Sequence, residues 1–326
     1  MKSIMLLLPY WGRFPNYFQF FLESVRRNPS IDFHIITDDD RYFEYPQNVK
    51  VTYMCFGEFK AKVESKFDFP LTYASTPYKM CSVRTIWGYA LPTLIDDYDW
   101  WGYCDCDMIF GDIRHYITDD VLKCYDRVLS RGHLTLYRND PEINSAFMAM
   151  SEGTRHDWRN ILSRTENSTC VAYDEWGGVS NLWKEQRPNR HYDEIIFDDV
   201  TPRKLHFESS QKMLVDKNMG KSHFVFKYDQ GRLFRVAIQN GLITEEQTCY
   251  AHFQKRHLGI ACKEIDFDHY LVIPNCFIDY EEITLGKLKK WGRKRYVNFP
   301  FIKRRFKNLS QKLLNFGNKT LWMRYA

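Results

Sequence analysis

No run of about twenty apolar residues, the length a helix needs to cross a bilayer, occurs in the 326-residue sequence. The apolar stretch at residues 4–8 is too short for the core of a signal peptide. It continues into Pro9-Tyr10-Trp11-Gly12 without a small-residue cleavage site. Together these absences lead us to expect a cytoplasmic protein, with any membrane association peripheral and on the cytoplasmic face. Paired CxxC spacings are missing too. The nine cysteines are odd in number and scattered, which argues against a zinc ribbon or a disulfide framework and for small buried side chains in a reducing compartment. Internal repeats and low-complexity linkers are also lacking. A last absence is local: residues 284–326 hold thirteen Lys or Arg and no Asp or Glu, so the net charge of +5 is concentrated in one C-terminal segment.

What is present is enough for a sizeable core. Apolar residues make up 44% of the chain, and one main domain with an appendage is expected. Aromatic residues reach 17%; ring faces can pack on the C–H faces of sugars, and ordinary core packing uses the same rings. In the first half, strand and helix signals alternate, which predicts an α/β fold with a largely parallel sheet. Strands are expected at 4–8, 32–37, 49–54 and 101–106, with others at 133–137 and 146–150. Helical spacing covers 14–27 and 76–95, and 173–183 reads as a loop entering a helix. Between 205 and 238 the alternation is too weak to set boundaries.

The most informative passage is Trp100-Trp101-Gly102-Tyr103-Cys104-Asp105-Cys106-Asp107-Met108-Ile109-Phe110-Gly111-Asp112. In an extended segment, residues i and i+2 share a face, so Asp105 and Asp107 are expected to point the same way. Two carboxylates so placed repel each other unless a cation lies near both. A divalent ion, Mn²⁺ or Mg²⁺, would relieve the repulsion and could neutralise a diphosphate leaving group. The pair follows an apolar strand, at the end where α/β sheets bind ligands.

This segment resembles the Asp-x-Asp region of GT-A glycosyltransferases, particularly the GT8 and GT32 type families. Lys79-Met80-Cys81-Ser82-Val83-Arg84 resembles a helix with a Ser-Asp-x-x-Arg pattern in the second of these, although Val83 stands where that pattern has Asp. The resemblance covers roughly residues 1–260 and extends to bacterial proteins of capsule and lipopolysaccharide assembly that begin with a similar Pro-Tyr-aromatic-Gly segment. It implies a Rossmann-like GT-A domain, which we place at 1–283, and the charge pattern sets off a basic helical tail at 284–326. The activity it implies is transfer from a nucleotide-sugar, a UDP-sugar by expectation, to a saccharide or lipid-linked saccharide with retention of configuration.

The same resemblance suggests further residues. His252, within Tyr250-Ala251-His252-Phe253-Gln254-Lys255-Arg256, would be the third metal ligand, and Lys255 or Arg256 would meet the diphosphate; a structural histidine beside a solvated basic pair is the alternative. Tyr10 could stack on the base and Asp38 could hydrogen-bond to it, although turn chemistry also explains this segment. Lys79 and Arg84 could reach the phosphates or the donor sugar, and Asn144 with Ser145 the sugar itself. Asp174-Glu175-Trp176-Gly177-Gly178 would form the acceptor edge, with Asp174 and Glu175 as catalytic carboxylates and the glycines admitting the sugar close to the backbone.

Other classes compete: a nucleotidyltransferase would need a Gly-rich N-terminal loop with Arg, which is missing, and two more stand beside it. Asp105-Cys106-Asp107-Met108-Ile109 with the late pair Asp198-Asp199 resembles the motifs of haloacid-dehalogenase phosphohydrolases, but three strand–helix units precede the first of them. A non-catalytic carbohydrate- or membrane-binding protein is the other. In the tail, Ile302, Phe306, Leu309, Leu313 and Phe316 share a helical face, and Lys287, Lys289, Lys290, Arg293, Lys294 and Arg295 cluster around Trp291. This is the pattern of a helix on an anionic membrane surface; a helix packed on the catalytic domain with a solvated basic face is the alternative, and no nucleic-acid partner is expected.

Overall fold

The first strand forms because residues 4–8 offer no polar face to solvent. In the computed structural model, which describes residues 1–165, 172–175, 178–201, 204–210, 223–254, 256–294 and 306, Ile4–Tyr10 is β1, buried along almost its whole length. A strand apolar on both faces belongs at the centre of a covered parallel sheet. β1 lies between β2 (Asp32–Thr37) and β4 (Trp100–Cys104), parallel to both, and β3 (Val49–Tyr53) continues the parallel set beyond β2. On the other side, β7 (Leu134–Arg138) pairs antiparallel with β4, followed by β6 (Arg127–Val128) and β8 (His191–Tyr192). The expected α/β fold with a parallel-rich central sheet is therefore present. From β1 the chain moves to β2 on one side, while β4 occupies the other. The crevice at the carboxyl ends of β1 and β4 is thus a topological switch point, where such sheets bind ligands.

Two elements differ from expectation. Residues 146–150 are not a strand but part of the helix Pro141–Ser151. Asp140 caps it by accepting from the Glu142 amide, Pro141 stands in its first turn, and the buried Ile143, Ala146, Phe147 and Met150 follow helical spacing. The helix expected over 76–95 is broken into Pro77–Cys81, a 3₁₀ turn at Arg84–Ile86, Trp87–Ala90 and a further turn at Pro92–Leu94. The first piece ends at Ser82, whose carbonyl accepts from the Asp174 amide (3.1 Å). This break turns Arg84 toward the end of β4.

The weakly patterned region holds a second sheet. β10 (Phe224–Asp229), β11 (Arg232–Gln239), β12 (Leu242–Thr248), β14 (Gly259–Ile260), β15 (His269–Ile273) and β16 (Cys276–Asp279) are ordered β12-β11-β10-β15-β16-β14. One face packs on Tyr17, Phe20 and Phe253, and the other on Leu288 and Trp291. With both faces covered, Phe224-Val225-Phe226 is buried continuously, which removes the period-2 signature of a half-exposed strand.

Leu288 and Trp291 belong to the helix Leu285–Gly292, the first part of the basic segment, so the boundary expected at 283/284 falls inside packed structure. Trp291 is core and is not free to enter a membrane interface. Of the apolar stripe, only the exposed Phe306 is described; Ile302, Leu309, Leu313 and Phe316 lie outside the described residues. Among the described residues no helix is long and apolar enough to cross a membrane.

Candidate metal centre and active site

β4 ends at Cys104, and Asp105-Cys106-Asp107 forms a bend before β5 (Met108–Phe110). β5 belongs to a three-stranded sheet with β13 (Tyr250–His252) and β9 (Asp198–Asp199). The register does the assembling. His252 pairs with Met108 on one side and Asp199 on the other, and the Phe253 amide donates to the Asp107 carbonyl (2.9 Å). His252 Nε2 consequently lies 3.5 Å from Asp105 Oδ2 and 3.4 Å from Asp107 Oδ1. One donor atom from each of the three falls within 4.8 Å of the others. Two carboxylates and an imidazole form an oxygen and nitrogen set that could hold a divalent cation. Burial opposes a charge on His252, but Asp107 and Asp199 hold its pKa well above the usual value. The same carboxylates that favour positive charge on the ring would favour a cation placed among them.

Arg84 is buried beneath this group. Its Nη1 donates to Asp105 Oδ1 (2.8 Å), its Nε to the Cys81 carbonyl (2.7 Å), and Nε lies 3.3 Å from Asp174 Oδ2. Asp174, expected at the acceptor edge, is 1% exposed and lies against Arg84. Glu175 is the member of the pair that remains accessible. Burial and the neighbouring Asp174 push its pKa up to about 7, and burial lifts Asp174 to about 6 despite Arg84. A carboxyl group poised near neutrality is suited to proton transfer. The close approach at Gly178 is to its own chain, since a Cβ there would meet the Tyr173 carbonyl oxygen at 2.2 Å; it does not make room for a sugar. Trp176, Gly177 and Lys255 lie outside the described residues.

Tyr10 stands at the end of β1, near Cys106 and Asp107. It stacks on Phe14, its hydroxyl donates to the Arg13 carbonyl, and burial with Cys106 and Asp107 nearby raises its pKa. Asp38 is exposed at the end of β2, with Oδ1 accepting from the Gly12 amide (2.7 Å), so it builds the turn after β1 whatever else it contacts. Lys79 lies over the Tyr73 ring, its Nζ 3.5 Å from Ser75 Oγ. Asn144 has a structural role of its own. Its Oδ1 accepts from the buried Trp101 indole (2.6 Å) and its Nδ2 donates to Asn139, so its amide ties the helix Pro141–Ser151 to β4. Ser145 donates to the Pro141 carbonyl of its own helix. Two further residues stand here: His133, whose ring centroid is 4.4 Å from that of His252, and Arg131, which is electrostatically coupled to Asp193, Tyr250, Asp199 and Glu175. Neither is marked by a motif.

The phosphohydrolase alternative does not fit. The first strand ends in Pro9-Tyr10 rather than an aspartate, Asp105 is tied to Arg84, and Asp199 is buried against His252.

Residues 6–281 match the profile of a family described as a family of unknown function. The chain belongs to that family, DUF6625. No curated protein matches the sequence. Among solved structures, this DUF6625 chain is similar to the apo form of mouse xyloside xylosyltransferase 1, with a TM-score of 0.41 and 7% identity over 78% of this chain and 98% of that one. The glycosyltransferase GlyE of Streptococcus pneumoniae TIGR4 gives 0.29 and 12% identity over 59% of this chain and 45% of its own. A glycosyltransferase involved in glycosylation of the major capsid of PBCV-1 gives 0.34 and 8% identity over 60% and 84%. With likenesses this partial, the function of the DUF6625 site has to be read from its own geometry.

Proposed function

We propose that this DUF6625 protein is a divalent-metal-dependent glycosyltransferase that takes a sugar from a nucleotide-sugar, a UDP-sugar in our reading, to a saccharide or lipid-linked saccharide acceptor. The observation that carries the proposal is the convergence of Asp105, Asp107 and His252 beside the carboxyl ends of β1 and β4. Asp105, Asp107 and His252 would hold Mn²⁺ or Mg²⁺, which when bound supplies positive charge to a diphosphate leaving group. Arg84, fixed by Asp174, orients Asp105 and adds positive charge beneath the pair. Tyr10 and Asp38 line the end of the crevice suited to a base and ribose, and Lys79 and Lys255 remain candidates for the phosphates. Glu175 is the residue proposed to orient the acceptor hydroxyl or take its proton.

Retention of configuration, a role in bacterial capsule or lipopolysaccharide synthesis and attachment to the cytoplasmic membrane face through the basic tail complete the proposal. These rest on the resemblance and on the tail's charge. The test is a screen of UDP- and GDP-sugar hydrolysis with and without Mn²⁺, paired with thermal unfolding in the presence of UDP. Metal-dependent hydrolysis and UDP stabilisation that requires Mn²⁺ are expected. A protein that neither cleaves any donor nor gains stability from nucleotide with metal would instead be a non-catalytic binding module.

A further inference from the structure

The late acidic pair Asp198-Asp199 has no part in the transferase reading so far. Both residues are buried. Asp198 faces Arg235, 3.4 Å from its Nε, while Asp199 turns the other way and accepts from His252 Nδ1 (2.9 Å). We propose that Asp199 is a positioning residue, holding His252 in the tautomer and ring orientation that present Nε2 to Asp105 and Asp107. This rests on the reading of Asp105, Asp107 and His252 as a metal centre.

An imidazole that ligates through one nitrogen must carry its proton on the other, and the partner of that proton decides which nitrogen is bare. With Asp199 accepting at Nδ1, the bare nitrogen is Nε2. The carboxylate is itself fixed: Gln254 Nε2 donates to Oδ1 (2.6 Å) and Ser210 Oγ to Oδ2 (2.7 Å). The backbones are locked as well. Asp199 and His252 are register partners on β9 and β13, the Val200 amide donates to the His252 carbonyl (2.9 Å), and the Ser210 amide donates to the Asp199 carbonyl (2.9 Å). His133 walls the ring from the side, its own orientation set by the bond between its Nδ1 and the Tyr250 hydroxyl (2.9 Å). His133, Asp199 and His252 also bring three donor atoms within 4.8 Å. The direct Asp199–His252 bond makes this group the support of one ligand rather than a second centre.

The test uses the full chain and Mn²⁺ alone, with free Mn²⁺ followed by electron paramagnetic resonance. The proton spectrum of the metal-free protein supplies a second readout, in which the Nδ1 proton shared with Asp199 should resonate at low field and be absent in His252→Ala. Asp199→Asn is expected to weaken Mn²⁺ binding about 10–100-fold and to lose that resonance. Ser210→Ala, a milder change, should weaken binding severalfold and shift the resonance, and it decides the matter if Asp199→Asn does not fold. Wild-type affinity with the resonance intact, in whichever of the two variants folds, would overturn the proposal. So would an Asp107→Ala protein that binds Mn²⁺ normally while Asp199→Asn does not, because Asp199 would then be a ligand itself. If wild type, His252→Ala and Asp107→Ala all bind Mn²⁺ equally poorly, the metal-centre reading has failed, and the resonance alone then decides whether Asp199 holds His252.

Discussion

Asp107 is the residue on which the proposed chemistry turns. It is buried and faces His252 Nε2, whereas Asp105 is half-buried and tied to Arg84. Asp107→Ala is expected to lower donor turnover at least about 100-fold while far-ultraviolet circular dichroism stays unchanged, with Asp105→Ala less severe. Near-normal turnover in Asp107→Ala would remove it from the mechanism. Glu175 yields a prediction of a different kind. Its pKa is raised from 4.5 to about 7 in the folded chain, so the folded state holds more protons than the unfolded one across that interval. Stability therefore falls as pH rises from 4.5 to about 7 and stays lower above it. Glu175→Gln should flatten this decline and gain on the order of 1 kcal/mol at pH 8 in metal-free buffer, as read from urea unfolding at several pH values. An unchanged pH profile would mean that Glu175 titrates normally.

The elements that carry the site are held by short, irregular connections, and one of these is directly testable. Leu129 and Gly132 both have positive φ (65° and 79°), in the turn between β6 and β7 that approaches Glu175. At Gly132 a Cβ would stand 2.6 Å from Glu175 Cγ. Gly132→Ala should therefore cost about 1 kcal/mol through the left-handed backbone and also displace Glu175. The expected result is a fall in transfer to acceptor with Mn²⁺ affinity within about twofold of wild type, since no metal ligand moves. Parallel losses in both would mean that the turn supports the whole site. Elements also explain where sequence reasoning failed. Apolar residues at 146–150 read as a strand until the Asp140-Pro141 start is given its weight as a helix cap. The second sheet carried a signal in Asn240-Gly241, both at positive φ (49° and 81°) between β11 and β12, as a tight two-residue hairpin requires.

At the scale of the whole molecule, the body extends through the helix Leu285–Gly292, whose Leu288 and Trp291 cover one face of the second sheet. A truncation at 283 would expose that face and lead to aggregation, whereas removal of 295–326 leaves the helix in place. The removed segment contains eight Lys or Arg and no acid, worth about 1 kcal/mol each beside an anionic surface. The 1–294 chain should retain wild-type donor hydrolysis and lose co-sedimentation with phosphatidylserine-containing vesicles. If it still sediments, the basic tail does not provide the attachment.

The sequence by itself determined the α/β class, the burial of β1 and the position of the Asp105-Cys106-Asp107 motif at the end of a central strand. Each of these is local, written in unbroken apolar runs and in two carboxylates separated by one residue. His252 was reachable only through resemblance, because its partner Asp107 lies 145 positions earlier and no periodicity links them. Asp199 behind His252, Asp174 beneath Arg84 and the amide of Asn144 on Trp101 were decided by tertiary structure alone. A carboxylate's charge is visible in the sequence, but whether it faces an acceptor or a buried arginine depends on strand register and on where a helix breaks, and these are set by packing against residues far away in the chain.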